Sequence, residues 1–221
     1  MQEIKSKRTF FDLFNGKIAK LKVKFDIESN EEAIQVDIEN RISSKTDKKG
    51  LEELRKIYTD DRLSDFLNFY STYNGFTLAN PVNPKNVIKK ALLEQLSVSE
   101  LSRFTKKYQP GGEWAWTIDH NKTKSIYRTE EKWLAFAKVD NEPSCLTIFL
   151  TGENTGKVFL LNPQPRFNIL KPIAKSYNDF LERIAKDPAA FFRLTRAYIT
   201  FKKENDQHYG YVPVEYIDNE M

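Results

Sequence analysis

A chain of 221 residues with 40% hydrophobic and 30% charged side chains holds enough apolar material for a packed core and too much to stay disordered. Two histidines and one cysteine leave little for histidine catalysis, Cys/His metal clusters or an internal disulfide. The formal charge of +4 is unevenly spread: residues 1–24 carry seven bases against two acids, and residues 25–40 carry six acids and no base.

No run approaches the roughly 18 apolar residues of a membrane-spanning helix, and the first residues carry no signal-peptide core. A lone Cys145, next to the apolar run Leu146–Leu150, reads as a small core residue and fits a reducing cytoplasm. Sixteen Phe and ten Tyr against eight Gly predict a core filled by aromatic rings.

Leu21, Val23, Phe25 and Ile27 alternate with Lys20, Lys22, Lys24 and Asp26. Ile34, Val36 and Ile38 alternate in the same way with Gln35, Asp37 and Glu39. A turn at Ser29-Asn30 would set Phe25 against Ile34, Val23 against Val36 and Leu21 against Ile38. Lys22 would then face Asp37 and Lys20 would face Glu39, so one register satisfies both faces. A helix through Ile34, Ile38 and Ile42 is the competing reading of residues 31–42. The polar stretch 43–50 is a linker by composition.

Leu51, Leu54 and Tyr58 start a short helix. Leu63, Phe66, Leu67 and Tyr70 then mark a buried one, stopped at Asn74-Gly75, where glycine accepts the left-handed backbone. Asn80-Pro-Val-Asn-Pro84 reads as a loop. Val87, Ile88, Ala91, Leu92 and Gln95 repeat at helical spacing. Ser97-Val-Ser-Glu100 is a capping box ahead of a helix carrying Leu101 and Phe104.

From Glu113 the texture turns to strands: 114–118, 124–128, 133–137, 146–150 and 157–161. The last two flank a glycine-bounded hairpin loop, and their continuous apolar character implies central strands buried on both faces. Ser176 and Asp187-Pro188 cap two further helices, and Tyr198 to Phe201 reads as a strand. The acidic, tyrosine-dotted final twenty residues read as loosely held.

Chemistry has little foothold. His120 lies in a polar turn, and the pairs Asp60-Asp61 and Glu130-Glu131 point their carboxylates to different sides. No phosphate-cradling loop, nucleophile elbow or metal-ligand spacing occurs, so no catalytic, metal-binding or cofactor-binding residue is expected. Trp114 and Trp116, two apart on an expected strand, share a face and read either as core cover or as an aromatic platform for a protein or for stacked bases. Lys122, Lys124 and Arg128 lie near them, but Asp119, Glu130 and Glu131 interrupt the basic run, which disfavours nucleic acid.

Four pieces in order carry a family resemblance: Tyr73-Asn74-Gly75, Trp133 to Ala137, Gly156-Lys157-Val158-Phe159, and Ser176 to Leu181 with Phe180. Across residues 50–192 the chain resembles the SUKH superfamily, the fold of the yeast cell-wall-assembly regulator and of many bacterial toxin-immunity proteins. The resemblance implies structural roles for Asn74, Gly75, Trp133, Gly156, Val158, Phe159, Phe180 and Leu181. It also implies a binder without catalysis: an immunity protein that blocks a cognate toxin, or a regulatory interaction protein.

The expected fold is therefore α+β, with an antiparallel or mixed central sheet of about five or six strands flanked by helices. The expected segments are an N-terminal hairpin extension (1–48), the SUKH-like domain (49–195) and a C-terminal strand and tail (196–221). The expected partner is a protein, engaged through Glu31, Glu32 and Asp37 or through Trp114 and Trp116, or through acids between Glu204 and Glu220, because nuclease-type toxins present basic clefts.

Overall fold

The computed structural model describes residues 8–15, 18–82, 86–119, 123–140, 143–162, 171–202 and 207–218. Strands β1 (Ala19–Lys24) and β2 (Ile34–Ile42) open it, followed by helices α1 (Lys48–Ile57) and α2 (Ser64–Thr72). Strands β3 (Phe76–Pro81) and β4 (Leu93–Gln95) lead to α3 (Val98–Lys106) and the short α4 (Trp116–Asp119) and α5 (Lys124–Tyr127). Then come β5 (Trp133–Val139), β6 (Cys145–Phe149), β7 (Val158–Leu161), α6 (Tyr177–Lys186), α7 (Pro188–Thr195), β8 (Ile199–Lys202) and β9 (His208–Ile217).

The fold is α+β, but its sheet is larger than expected. Among the described residues nine antiparallel strands run in the order β7-β6-β5-β4-β3-β2-β1-β9-β8. The N-terminal hairpin is therefore central to the sheet, flanked by β3 on one side and β9 on the other. The stretch 43–50, a linker by composition, starts by exchanging backbone bonds with residues 74–75 and ends inside α1, capped by Asp47. Residues 87–95 alternate too weakly to hold a helix. They extend instead, and Leu93–Gln95 fills the gap between β3 and β5.

The hairpin forms with a register two residues from the expected one. Leu21 faces Val36, Val23 faces Ile34, and Lys20 faces Asp37. A slip of two preserves every side chain's face, so the core cannot tell the two registers apart. Loop length decides: residues 25–33 leave the ladder, and Lys22 pairs with Glu215 of β9 at 2.7 Å rather than with Asp37.

The C-terminal residues are likewise better held than their composition implies. Ten of them form β9, bonded to β1 along one edge and to β8 along the other. Pro213 is tolerated inside it because the ladder with β1 is bulged there. The Arg193 guanidinium of α7 donates to the carbonyls of Pro213 and Val214 at 2.8 and 3.2 Å. A second bulge, at Asn40 of β2, puts an amide where it bonds three neighbours at once. Its Oδ1 accepts from Ala79 N–H, and its Nδ2 donates to Leu13 O and Tyr216 Oη.

Strands β5 to β7 are buried on both faces, as their apolar runs predict, but β7 is an edge strand rather than a central one. At its first residue the outer backbone is met by residues 173–174, which exchange bonds with Val158 at 2.8 and 3.0 Å. On one face Phe136 packs against Phe66, Tyr177 and Phe180 of α2 and α6, with centroids 5.5–6.0 Å apart. On the other, Trp133 and Phe149 pack against Tyr127, whose hydroxyl meets Thr147 Oγ1 at 2.7 Å. Buried tyrosine hydroxyls find partners: Tyr70 donates to Leu96 O and Tyr177 to Gln95 Oε1.

Candidate functional site

The residues on which the SUKH resemblance rests all sit in the scaffold. Asn74 Oδ1 accepts from Val98 N–H at 2.9 Å, which ties the end of α2 to the start of α3. At Gly75 (φ 102°) a Cβ would lie 2.4 Å from the Gln95 carbonyl, so only glycine allows β3 and β4 to close up there. Trp133 Nε1 donates to Tyr127 O at 3.2 Å. Gly156 turns the chain into β7 against the backbone of Arg62. Val158, Phe159, Phe180 and Leu181 are buried. None of these side chains is offered to a partner.

Trp114 and Trp116 lie on no strand and share no face. The segment Gly112 to Asp119 winds into a turn and the short α4, because Pro110-Gly-Gly112 breaks the extended backbone ahead of it. Trp114 is only 9% exposed, stacked on Tyr108 and Phe104 with Lys107 Nζ 3.8 Å from its ring centre. Trp116 is 45% exposed and stands alone. The two-ring platform that would stack bases is absent from the described residues. Residues 124–128, expected as a strand, contain α5, with Arg128 bonded to Asp119 at 2.7 Å. His120 and Lys122 lie outside the described residues.

A different surface stands out at the open end of the hairpin. Phe25 is 52% exposed and Ile34 is 41% exposed, although both belong to the core-facing set of their strands. The helices simply do not reach that far. Phe25 meets Tyr209 and Tyr211 edge to face at 5.9 and 5.6 Å, and Tyr211 meets Phe201 at 4.6 Å. The result is a row of four rings in which Phe25 is exposed and Tyr209, Tyr211 and Phe201 are half-buried, and Ile34 of β2, which pairs with Val23 of β1, is exposed as well. Neighbouring apolar side chains left uncovered in this way mark interaction sites on soluble proteins.

Acids rim the row. Asp26 organises the loop, its Oδ1 accepting from Glu28 N–H at 3.0 Å while Lys24 holds Ser29 O. Glu31, Glu32 and Asp37 are exposed, Asp37 opposite Lys20 on the far face of β2. Among the described residues Glu31 and Glu32 form no ion pair. The C-terminal acids differ: Glu215 is paired with Lys22 and Asp218 with Arg8, while Glu204, Asp206 and Glu220 lie outside the described residues.

The sheet edges offer a partner little. Beyond β8, the 86–88 segment donates Ile88 N–H to Thr200 O at 2.9 Å and accepts Lys202 N–H on Asn86 O. At the other end, Val158 of β7 is bonded by residues 173–174, so each edge strand is met by another segment over part of its length. Among the described residues no group of three His, Cys, Asp or Glu side chains could hold a metal, and no helix is long and apolar enough to cross a membrane.

The sequence reading located the acids and missed the aromatic row. A signal was present: Tyr209-Gly-Tyr-Val-Pro213 alternates with period two, and Phe25 and Ile27 sit in an acidic turn that no hairpin core would demand. No protein-family model matches the chain, and no curated protein matches it in sequence.

Proposed function

We propose that this chain is a protein-binding protein without catalytic chemistry, a SUKH-like immunity protein that neutralises a cognate bacterial toxin in the cytoplasm. The observation that carries this reading is the partly exposed ring row Phe25, Tyr211, Tyr209 and Phe201, with exposed Ile34 on the neighbouring strand, beside an acidic loop. Large aromatic anchors within a polar rim are the usual composition of binding hot spots. A chain of net charge +4 that gathers six acids and no base between residues 25 and 40 is suited locally to a basic partner.

The test is co-expression with the toxin encoded beside this chain. Rescue of growth, lost on replacing Phe25 and Tyr211 together by alanine, is the expected result. Failure of the intact protein to rescue or to form a complex overturns the immunity assignment. Binding to a non-toxic neighbour through the same surface would instead assign the regulatory role that the family resemblance also implies.

A further inference from the structure

The uncovered rings sit beside a loop that carries one sign of charge. Residues 25–33 leave the ladder that pairs Val23 with Ile34, so the loop starts at exposed Phe25 and runs into exposed Ile34. It contains Asp26, Glu28, Glu31 and Glu32 and no base, and all four acids are exposed. Lys24, the last residue of β1, is engaged with the Ser29 carbonyl at 3.1 Å. The whole chain carries a formal charge of +4, so the negative potential here is local. Phe25 meets Tyr209 and Tyr211 edge to face and still keeps 52% of its surface open.

Three kinds of partner side chain could cover such a ring. An aliphatic one buries it but brings nothing to the carboxylates, whose desolvation at a closing interface would go uncompensated. A lysine ammonium meets the carboxylates, but it is a compact, strongly hydrated charge that gives up much water to lie on a ring. A guanidinium answers both needs. It is planar and weakly hydrated, it stacks on aromatic faces, and it offers a fork of N–H donors to a carboxylate.

We propose that this corner of the sheet reads arginine: a partner segment lays a guanidinium on Phe25 beside Tyr209 and forks it onto a carboxylate of the 26–32 loop. The assignment rests on the row being the partner surface proposed above, and it adds the side chain that the partner must bring.

Fluorescein-labelled tetra-arginine, tetra-lysine and tetra-citrulline peptides, titrated with the full chain and read by anisotropy at low salt, test this. Tetra-arginine is expected to bind at least about threefold more tightly than tetra-lysine, and at least about tenfold more tightly than its uncharged isostere tetra-citrulline. Phe25→Leu keeps an apolar side chain without a ring face, and is expected to bring arginine and lysine to within about twofold of each other. Tyr209→Leu is expected to narrow the preference as well and serves if the first variant does not fold. Glu31→Gln combined with Glu32→Gln is expected to weaken both charged peptides by about threefold. Absence of binding at millimolar peptide, equal affinity for arginine and lysine in the intact protein, a preference that survives loss of the ring, or citrulline bound as tightly as arginine overturns the proposal. Arginine preference without rescue from the neighbouring toxin keeps this surface and overturns the immunity reading. Rescue that needs Phe25, without arginine preference, does the reverse.

Discussion

Phe25 and Tyr211 meet edge to face with their ring centres 5.6 Å apart, one just past the first strand and the other in the last. Their contact links the two ends of the chain at a place the helices leave bare, so it is both a fold contact and an exposed surface. Phe25→Ala is therefore expected to change stability by less than about 1 kcal/mol and to weaken partner binding by about 2 kcal/mol or more. Denaturant unfolding and calorimetry on the same variant separate the two effects. A stability loss as large as the affinity loss would make the contact merely structural.

The register of the first hairpin can be checked by charge. In a double-mutant cycle, Lys22 and Glu215 should couple by about 0.2–1 kcal/mol, while Lys22 and Asp37 should not couple measurably. The reverse result would restore the register in which Lys22 faces Asp37.

Gly75 and Gly111 both have positive φ, 102° and 82°, but only Gly75 has atoms where a Cβ would go. Gly111→Ala should cost about 1–2 kcal/mol for the left-handed backbone alone. Gly75→Ala adds about 1–3 kcal/mol of overpacking against the Gln95 carbonyl. Equal melting shifts for the two would contradict the close approach of β3 and β4.

Asp140 sets a pH dependence whose sign follows from burial. Its folded-state pKa lies above the ordinary 3.8, so between the two values the folded protein holds more protons than the unfolded one. Its contribution to stability therefore falls as pH rises through that window and stays low above it. Asp140→Asn should be the more stable protein at pH 7, with the advantage shrinking as pH falls through that window toward 3.8. Thermal melts across pH 3–7, about the range set by ordinary carboxyl pKa values, decide this, and a variant less stable at pH 7 would contradict it.

Much of the molecule was legible because its signals are local. Ser97 and Glu100 make the capping box their spacing predicts, Ser176 and Asp187 cap α6 and α7, and the apolar runs of β5, β6 and β7 are buried throughout. Errors fell where a local pattern has two outcomes. Trp114 and Trp116 fit a strand by spacing, yet Gly111 and Gly112 bring a turn that buries one ring and exposes the other. The tyrosines of β9 looked like a polar tail because nothing near them in sequence supplies the strands they pair with.

The amino-acid order alone determined which residues are apolar on which face and where most helices begin. Only the tertiary structure decided which strands become neighbours and therefore what stays uncovered. A side-chain pattern of period two is blind to a register slip of two and to the identity of the pairing strand. Whether Phe25, Tyr211 or Asp140 is core or surface depends on how far helices packed from elsewhere in the chain extend over the sheet.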